Sequence, residues 1–312
     1  MNDDMPITSG TSTGRTFDEH RDFLVSVAYR ILGSVTDAED IVQEAWLRWS
    51  GVDHFQVKDP RAFLIRVTTR LAIDRLRRVK ARRESYVGPW LPEPVLTSQD
   101  PAEDAAMAES VSMAILVMLE TLSPLERAVF VLREAFGMPH SEIADVLGRK
   151  EEAVRQLARR AHDHVREGRT RFDADRTEQR RVTERFLEAA TGGDLEALMA
   201  VLSPDVTLVA DGGGRALAPR CPLRGANKVA RFLLAVATEE QTVRFLRSVG
   251  SEPSGGVRVH PVRVNSEPGV VITSGGEPIS ALVLDVSDGV VQTIHLVANP
   301  EKLTGVRAVE AP

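Results

Sequence analysis

T-D-A-E-D-I-V-Q-E-A-W-L-R-W, Thr36 to Trp49, is followed after a short loop by D-P-R-A-F-L-I-R-V-T-T-R-L-A-I-D-R-L-R-R, Asp59 to Arg78, and the rest of the chain can be read from this stretch. Thr36 and Glu39 stand at capping-box spacing, which predicts a helix starting there. Ile41, Ala45 and Trp49 share one face of it, while Asp40, Gln43, Glu44 and Arg48 lie on others. Asp59 ahead of Pro60 is an N-cap with proline in the first turn, so a second helix starts at that point. Phe63, Val67, Leu71 and Leu76 supply its expected apolar stripe. From Lys58 to Glu84 ten cations face three carboxylates, a local charge of +7 in a chain whose formal net charge is -6. A cationic excess confined to one helix is what a nucleic-acid surface needs.

The 312 residues are enough for two or three domains, and 43% hydrophobic residues allow true cores. The overall negative charge argues against uniform coating by nucleic acid, so any such function must sit in local basic patches. Cys221 stands alone between Arg220 and Pro222, which excludes an intrachain disulfide, fits a reducing cytosol and suggests an incidental residue. No apolar run approaches the roughly 20 residues of a membrane span. Residues 1–16 have no apolar core, read as a mobile tail rather than a secretory signal, and lead to a cytoplasmic expectation.

From Phe17 the pattern turns helical, with Phe23, Leu24, Val27, Ile31 and Leu32 at helical spacing and Gly33 as a stop. Together with the two helices above, this makes a small bundle over 17–84, with Trp46 and Trp49 as anchors. The acidic helix followed by the basic one resembles region two of an extracytoplasmic-function sigma factor. That resemblance implies a core-polymerase contact (β′ and β subunits) through Asp37, Asp40, Gln43, Glu44 and Leu47. It further implies recognition of a separated −10 strand by Arg61, Arg66, Arg70, Asp74, Arg77 and Arg78.

Ser85 to Pro101 holds four prolines and almost no periodicity, so 85–106 reads as an extended linker. Between Glu84 and Glu126 there are eight carboxylates and no Lys or Arg. That charge suits a solvated spacer, or a segment threading a basic channel. W-L-P-E-P, Trp90 to Pro94, fits a spacer poorly, because an exposed Trp and Leu would find a pocket.

Helical periodicity resumes with Val111, Ala114, Ile115, Met118 and Leu119 on one face. Ser123-Pro-Leu-Glu126 is a second capping box. A short helix, Ser141 to Leu147, stops at Gly148, and a longer one runs from Glu151 to Glu167. This is a helix-turn-helix pattern, whose second helix enters the major groove. Arg149, Lys150, Arg155, Arg159 and Arg160 can reach phosphates or guanine edges, and Gln156 can pair with adenine. Eight cations against four carboxylates over Arg149 to Arg171 give a local charge of +4. Following the first motif across an acidic linker, 107–168 resembles sigma region four, except that Lys150 stands where Ser or Thr often caps the recognition helix.

A short charged linker, 169–176, leads to a third unit over 177–303, with 304–312 as a tail. It opens as helix, Gly-Gly-Asp turn, short helix and a strand at Val206–Ala210. A further helix follows at Val229–Val236, then strands at Val257–Val264, Val270–Thr273, Ala281–Val286 and Val290–Val297, the last two joined at Ser287-Asp288-Gly289. Helices first and antiparallel strands later indicate an α+β domain. F-L-E-A-A-T-G-G-D-L-E-A-L-M-A-V-L-S-P-D-V resembles the opening of a SnoaL-like domain of the nuclear-transport-factor superfamily, which encloses a cone-shaped pocket open to a small-molecule ligand.

Asp211-Gly212-Gly213-Gly214-Arg215, Asn299-Pro300-Glu301-Lys302-Leu303 and Trp90-Leu91-Pro92-Glu93-Pro94 resemble the marks of the sigma-factor subgroup with a SnoaL-like extension. That subgroup usually has Lys where Arg215 stands. These three stretches are the expected regulatory contacts. The fold expected is thus multidomain: two all-α sigma domains, a Pro-rich linker and a C-terminal α+β cone. Its partners are core RNA polymerase and promoter DNA, with no membrane, cofactor or metal. Asp211, His260, Asp285 and His295 form no recognisable catalytic set, and Asp211 falls on a loop, so no enzymatic activity is expected. The alternative is a duplex-DNA-binding regulator with a ligand-sensing or cyclase-like C-terminal domain.

Overall fold

The computed structural model describes residues 9–83, 85–97, 112–169, 176–252 and 256–306. These fall into two compact units: 9–81 with 120–164, and the remainder, 82–97 with 112–119 and the described residues from 165 onward. Both sigma-like helical segments therefore contribute to the first unit, and the described part of the linker stretch, 85–97, belongs with the C-terminal domain.

In the first unit α1 runs Ser9–Leu32, α2 Val35–Ser50 and α3 Pro60–Arg83. The first helix begins earlier than expected, within the presumed tail. The cap of α2 is Ser34 rather than Thr36: its backbone is extended and its hydroxyl accepts the Asp37 amide at 3.1 Å. Gly33, with φ 71, ends α1 immediately before that cap, which leaves no room for a later start. Asp59 does cap α3, accepting the Ala62 amide at 3.0 Å. The buried arc of α3 is wider and turned from the expected stripe, with Leu64, Ile65, Thr68, Leu71, Ala72 and Leu76 inside and Phe63 and Val67 only partly covered. Trp49 is buried, stacked near His54 and Phe63, and gives its indole N–H to the Thr13 carbonyl at 3.1 Å. Trp46 is half-buried and meets the Phe17 ring edge-on.

The helix-turn-helix of this unit comprises α5 (Pro124–Phe130), α6 (His140–Leu147) and α7 (Glu151–Arg169). The capping box of α5 is complete, with Ser123 and Glu126 bonded reciprocally. Its continuation over Val131–Ala135 is a wide π-helical turn, so the expected single helix to Phe136 changes pitch. Gly148 adopts the left-handed conformation, φ 64 and ψ 43, that closes α6. Val154, Leu157, Ala161 and Val165 form the inner stripe of α7, as the periodicity predicts. Arg127 is buried and bonds the Arg30 carbonyl at 3.0 Å and the Glu120 carboxylate, tying α5 to α1.

The second unit contains α4 (Met113–Leu119), α8 (Arg176–Gly192), α9 (Leu195–Val201), β1 (Leu202–Asp211), β2 (Leu223–Arg224), α10 (Ala226–Val236), α11 (Glu239–Ser248), β3 (Val257–Val264), β4 (Glu267–Ser274), β5 (Glu277–Ser287) and β6 (Val290–Val297). On α4 the buried residues are Met113, Ala114, Leu116 and Leu119, while Ile115 and Met118 are only partly covered; Val111 lies outside the described residues. The helix α11 has no counterpart among the sequence expectations. The six strands form one mixed sheet in the order β2-β1-β6-β5-β4-β3. Its pairs are antiparallel except β1 with β6, which is parallel.

Alternation along the strands sends side chains to opposite faces. Leu208, Leu282, Leu284 and Ile294 meet Val182 and Phe186 of α8, Leu198 of α9 and Val229 of α10. Val271, Ala281, Val283 and Val297 point the other way and are covered by Leu91, Met113, Leu303 and Val306. Eight consecutive residues of β5, Ile279 to Val286, are therefore buried, as in a strand covered on both sides.

Candidate functional site

The candidate polymerase face is the outer side of α2. Asp40, Gln43 and Glu44 are exposed there, and Leu47 is 64% exposed, unusual for a leucine on a charged helix. Asp37 differs from the others. It receives Arg75 Nη2 at 2.5 Å and Arg75 Nε at 3.0 Å, so it braces α2 against α3. Its hydrogen bond raises the Arg75 pKa against a smaller opposing effect of burial.

On α3, Arg61, Arg66, Arg70, Asp74, Arg77 and Arg78 are all exposed, so its outer surface is cationic. Arg61 lies over the Phe23 ring at 5.2 Å, and Arg77 pairs with Asp74 at 2.9 Å. Arg70 gives its Nε to the Val146 carbonyl at 3.0 Å, at the end of α6. In the helix-turn-helix, Arg149, Lys150, Arg155, Gln156, Arg159 and Arg160 are exposed. Arg155 pairs with Glu151 at 2.6 Å, and Arg160 bonds Glu126 at 2.9 Å. Burial works against the charge on Glu126, but Ser123 and Arg160 outweigh it and hold its pKa below the usual value. Arg160 thus also props the recognition helix on α5.

Phe55 was not singled out from the sequence. It sits in the turn between α2 and α3 and is fully exposed. Its signal was an aromatic residue in a loop between two charged helices.

In the second unit the three expected contact stretches meet. Asp211 is the last residue of β1, wholly buried, not a loop residue. Its Oδ1 receives the Tyr86 hydroxyl at 2.5 Å and the Gly213 amide at 3.1 Å. Its Oδ2 receives the Leu91 amide at 2.8 Å and Lys302 Nζ at 2.6 Å. Lys302 also bonds the Leu91 carbonyl at 2.6 Å and lies over the Trp90 ring at 3.8 Å. Asn299 Nδ2 donates to the Tyr86 hydroxyl at 2.9 Å. Burial pushes the Lys302 pKa down to about 8, with Asp211 pulling it back up. Burial, then the bond to Asp211, raises that of Tyr86.

The glycines are needed here for space. A Cβ on Gly213, at φ 61, would overlap the Asn299 amide, and one on Gly212 would lie 2.8 Å from the Ala216 carbonyl. Leu91, Pro92, Glu93, Pro94 and Leu303 are buried, so W-L-P-E-P is no solvated spacer. Arg215 pairs with Glu301 at 2.7 Å in the open, and Pro300 starts the short 3-10 turn that carries Lys302 inward.

Of the four acid–base candidates Asp285 and His295 meet, and His260 and Asp211 have other partners. His295 Nε2 bonds Asp285 Oδ2 at 2.7 Å, both buried, while His260 bonds Thr273 at 2.9 Å and Asp211 belongs to the lysine cluster. A groove of about 410 Å³ lies beside α8, where Arg180, Thr183 and Glu184 face Arg263, Ser266 and Pro268. Among the described residues no group of His, Cys, Asp or Glu is placed to hold a metal ion, and no helix is long and apolar enough to cross a membrane.

Residues 16–83 match the Sigma-70 region 2 family and residues 112–164 the Sigma-70, region 4 family. The chain is 40% identical over 294 residues to the ECF RNA polymerase sigma factor SigJ of Mycobacterium tuberculosis, covering 93% of this chain and 92% of that protein. It is 32% identical to the probable ECF RNA polymerase sigma factor SigI of the same species, covering 93% and 94%. The crystal structure of SigJ superposes with a TM-score of 0.71 at 35% identity, over 94% of this chain and 98% of that one.

Proposed function

This chain belongs to the extracytoplasmic-function RNA polymerase sigma factors, and we propose that its C-terminal α+β domain regulates it in cis by holding the segment between its two sigma modules. As a member of that family it binds core RNA polymerase, directs it to promoters and has no enzymatic activity of its own. The observation that carries the regulatory reading is the buried Asp211 carboxylate. It accepts from Tyr86 and Leu91 of the connecting segment and from Lys302 of the chain's C-terminal part. A linker that must run through the polymerase cannot keep these bonds, so their strength opposes assembly.

In this reading Asp40, Gln43, Glu44 and Leu47 meet core polymerase, with Asp37 setting the helix that carries them. Arg61, Arg66, Arg70, Asp74, Arg77 and Arg78 meet the −10 strand, and Phe55 offers a ring for stacking an unpaired base. Arg149, Lys150, Arg155, Gln156, Arg159 and Arg160 meet the −35 duplex. Trp90 to Pro94, Asp211 to Arg215 and Asn299 to Leu303 form the regulatory contact. The work is cytoplasmic, where polymerase and chromosome are. A small ligand entering the groove beside Arg180 and Arg263 would bias the hold, because Arg263 also touches the segment through its carbonyl to Thr97.

Run-off transcription with purified core polymerase tests this, comparing the full chain with a chain ending near Arg176 and with D211N. Altered promoter output from both variants supports regulation in cis. Output equal to the full chain from both ends the proposal.

A further inference from the structure

Val95 and Thr97 on one side, and Ser112 and Met113 on the other, contact one hairpin. The turn between β3 and β4 is Asn265-Ser266, at φ 53 and 62. On one side, Asn265 Oδ1 accepts the Val95 amide at 3.2 Å and the Asn265 amide reaches the Val95 carbonyl at 2.8 Å. The Thr97 amide bonds the Arg263 carbonyl at 3.0 Å, and Thr97 Oγ1 accepts the Ser266 amide at 3.0 Å. On the other side, the Ser112 hydroxyl and the Met113 amide bond Glu267, the first residue of β4. Met113 is wholly buried in the apolar cluster on the same face of the sheet as Val271 and Val283. Neither set of hydrogen bonds includes Asp211 or Lys302.

We propose that the β3–β4 hairpin is a clasp on the segment joining the two sigma modules, and that its grip on Ser112–Met113 is tighter over an uncharged Glu267 than over an ionised one. Among the described residues Glu267 Oε2 is buried and has no hydrogen-bond partner, which penalises the ionised carboxylate more than the neutral acid. The groups that bear on it come from three directions. Asp285 on β5 opposes a second negative charge, and its partner His295 on β6 is already bonded to Asp285 Oδ2. Arg263 on β3 spends its Nη2 on the Ser266 carbonyl at 2.5 Å. Among the described residues, the neutral Ser112 hydroxyl and the Met113 amide favour the anion. Burial, then the Asp285 charge, pushes the Glu267 pKa up to about 8.

Released from the clasp, Glu267 regains water and the ordinary glutamate pKa of about 4.3. Between those two values the closed state holds a proton that the open state lacks. Closure therefore weakens as pH rises through that window and levels off above about 8.

The test is methyl NMR of 13C-methionine-labelled full-length protein from pH 6 to 9, with Met113 assigned through M113L. In the wild type the Met113 signal should leave its buried position as pH rises. In E267Q, the isostere of the uncharged acid, it should stay; E267M supplies a second uncharged side chain. The other methionine signals report whether each variant is folded. A Met113 signal unmoved by pH in the wild type, or moving equally in E267Q and E267M, overturns the proposal. Because nothing in the readout involves DNA or polymerase, that result would leave regulation through Asp211 standing.

Discussion

Lys302 Nζ lies 2.6 Å from Asp211 Oδ2, a buried ion pair between residues 91 apart in the chain. Breaking a buried pair from one side leaves an uncompensated charge and costs about 3–5 kcal/mol. The two sides are unequal here. Without Lys302, Asp211 keeps Tyr86, the Leu91 amide and the Gly213 amide. Without Asp211, Lys302 keeps the Leu91 carbonyl, the Trp90 and Tyr86 rings and the more distant Glu93 charge. Urea unfolding of the full chain should therefore show D211A losing more stability than K302M, by about 2 kcal/mol within the range for such pairs. Equal losses would mean the carboxylate has no special place in the cluster.

The same lysine has a sign in pH. Its pKa is depressed to about 8 in the folded chain, against about 10.4 when solvated. Between those values the unfolded chain binds the extra proton, so this group adds stability as pH rises from about 8 toward 10. The difference in melting temperature, wild type minus K302M, should grow over that interval. A difference flat in pH would show that Lys302 titrates normally.

Gly213 and Gly193 separate backbone strain from lack of space. Both have positive φ, 61 and 72, but a Cβ at Gly193 meets nothing within 4 Å while one at Gly213 runs into Asn299. G193A should cost about 1 kcal/mol, the strain alone. G213A should cost about 3 kcal/mol, since strain and overpacking add. Thermal unfolding of the two variants decides it, and a G213A no worse than G193A would contradict the packing.

Asp37 and Leu47 lie on one helix, the first paired with Arg75 and the second open to solvent. D37A removes a partly exposed pair with Arg75 and should cost about 1 kcal/mol of stability. L47D, at a side chain facing solvent, should leave the melting temperature within about 1 °C while weakening capture by core polymerase. Unchanged capture by L47D would remove Leu47 from the interface.

The side chains of Phe55 and Arg66 are exposed. F55A should leave stability unchanged and slow promoter opening, read as 2-aminopurine fluorescence at the −10 element. R66A should weaken holoenzyme binding across promoter sequences and lower the salt slope by about 1. An unchanged salt slope would place Arg66 away from phosphate.

Much of this molecule follows from local rules. The Ser123 box, the Gly148 stop and the stripe Val154–Leu157–Ala161–Val165 were legible because caps and helical periods involve neighbours in sequence. The strands Val257–Val264 and Val290–Val297 lie where alternation puts them. The Ser34 cap was missed by two residues because Thr36–Glu39 has the same spacing, and only the end of α1 at Gly33 chooses between them. The parallel pairing of β1 with β6 left no mark in either strand. A clue to the covered second face was present: I-S-A-L-V-L-D-V in β5 is too continuously apolar for a sheet open on one side.

Local sequence was enough for most of the helices, though not for α11, and for the two cationic surfaces, while the stretches Trp90–Pro94, Asp211–Arg215 and Asn299–Leu303 were singled out by resemblance. Only the tertiary structure decided that those stretches close on one buried carboxylate, that Asp37 spends its charge on Arg75, and that Ser112 and Thr97 share one hairpin. The physical reason is that caps and periods are set by residues a few positions apart. A buried charge, by contrast, is tolerated only where distant segments supply its partners, and no local pattern encodes which segments those are.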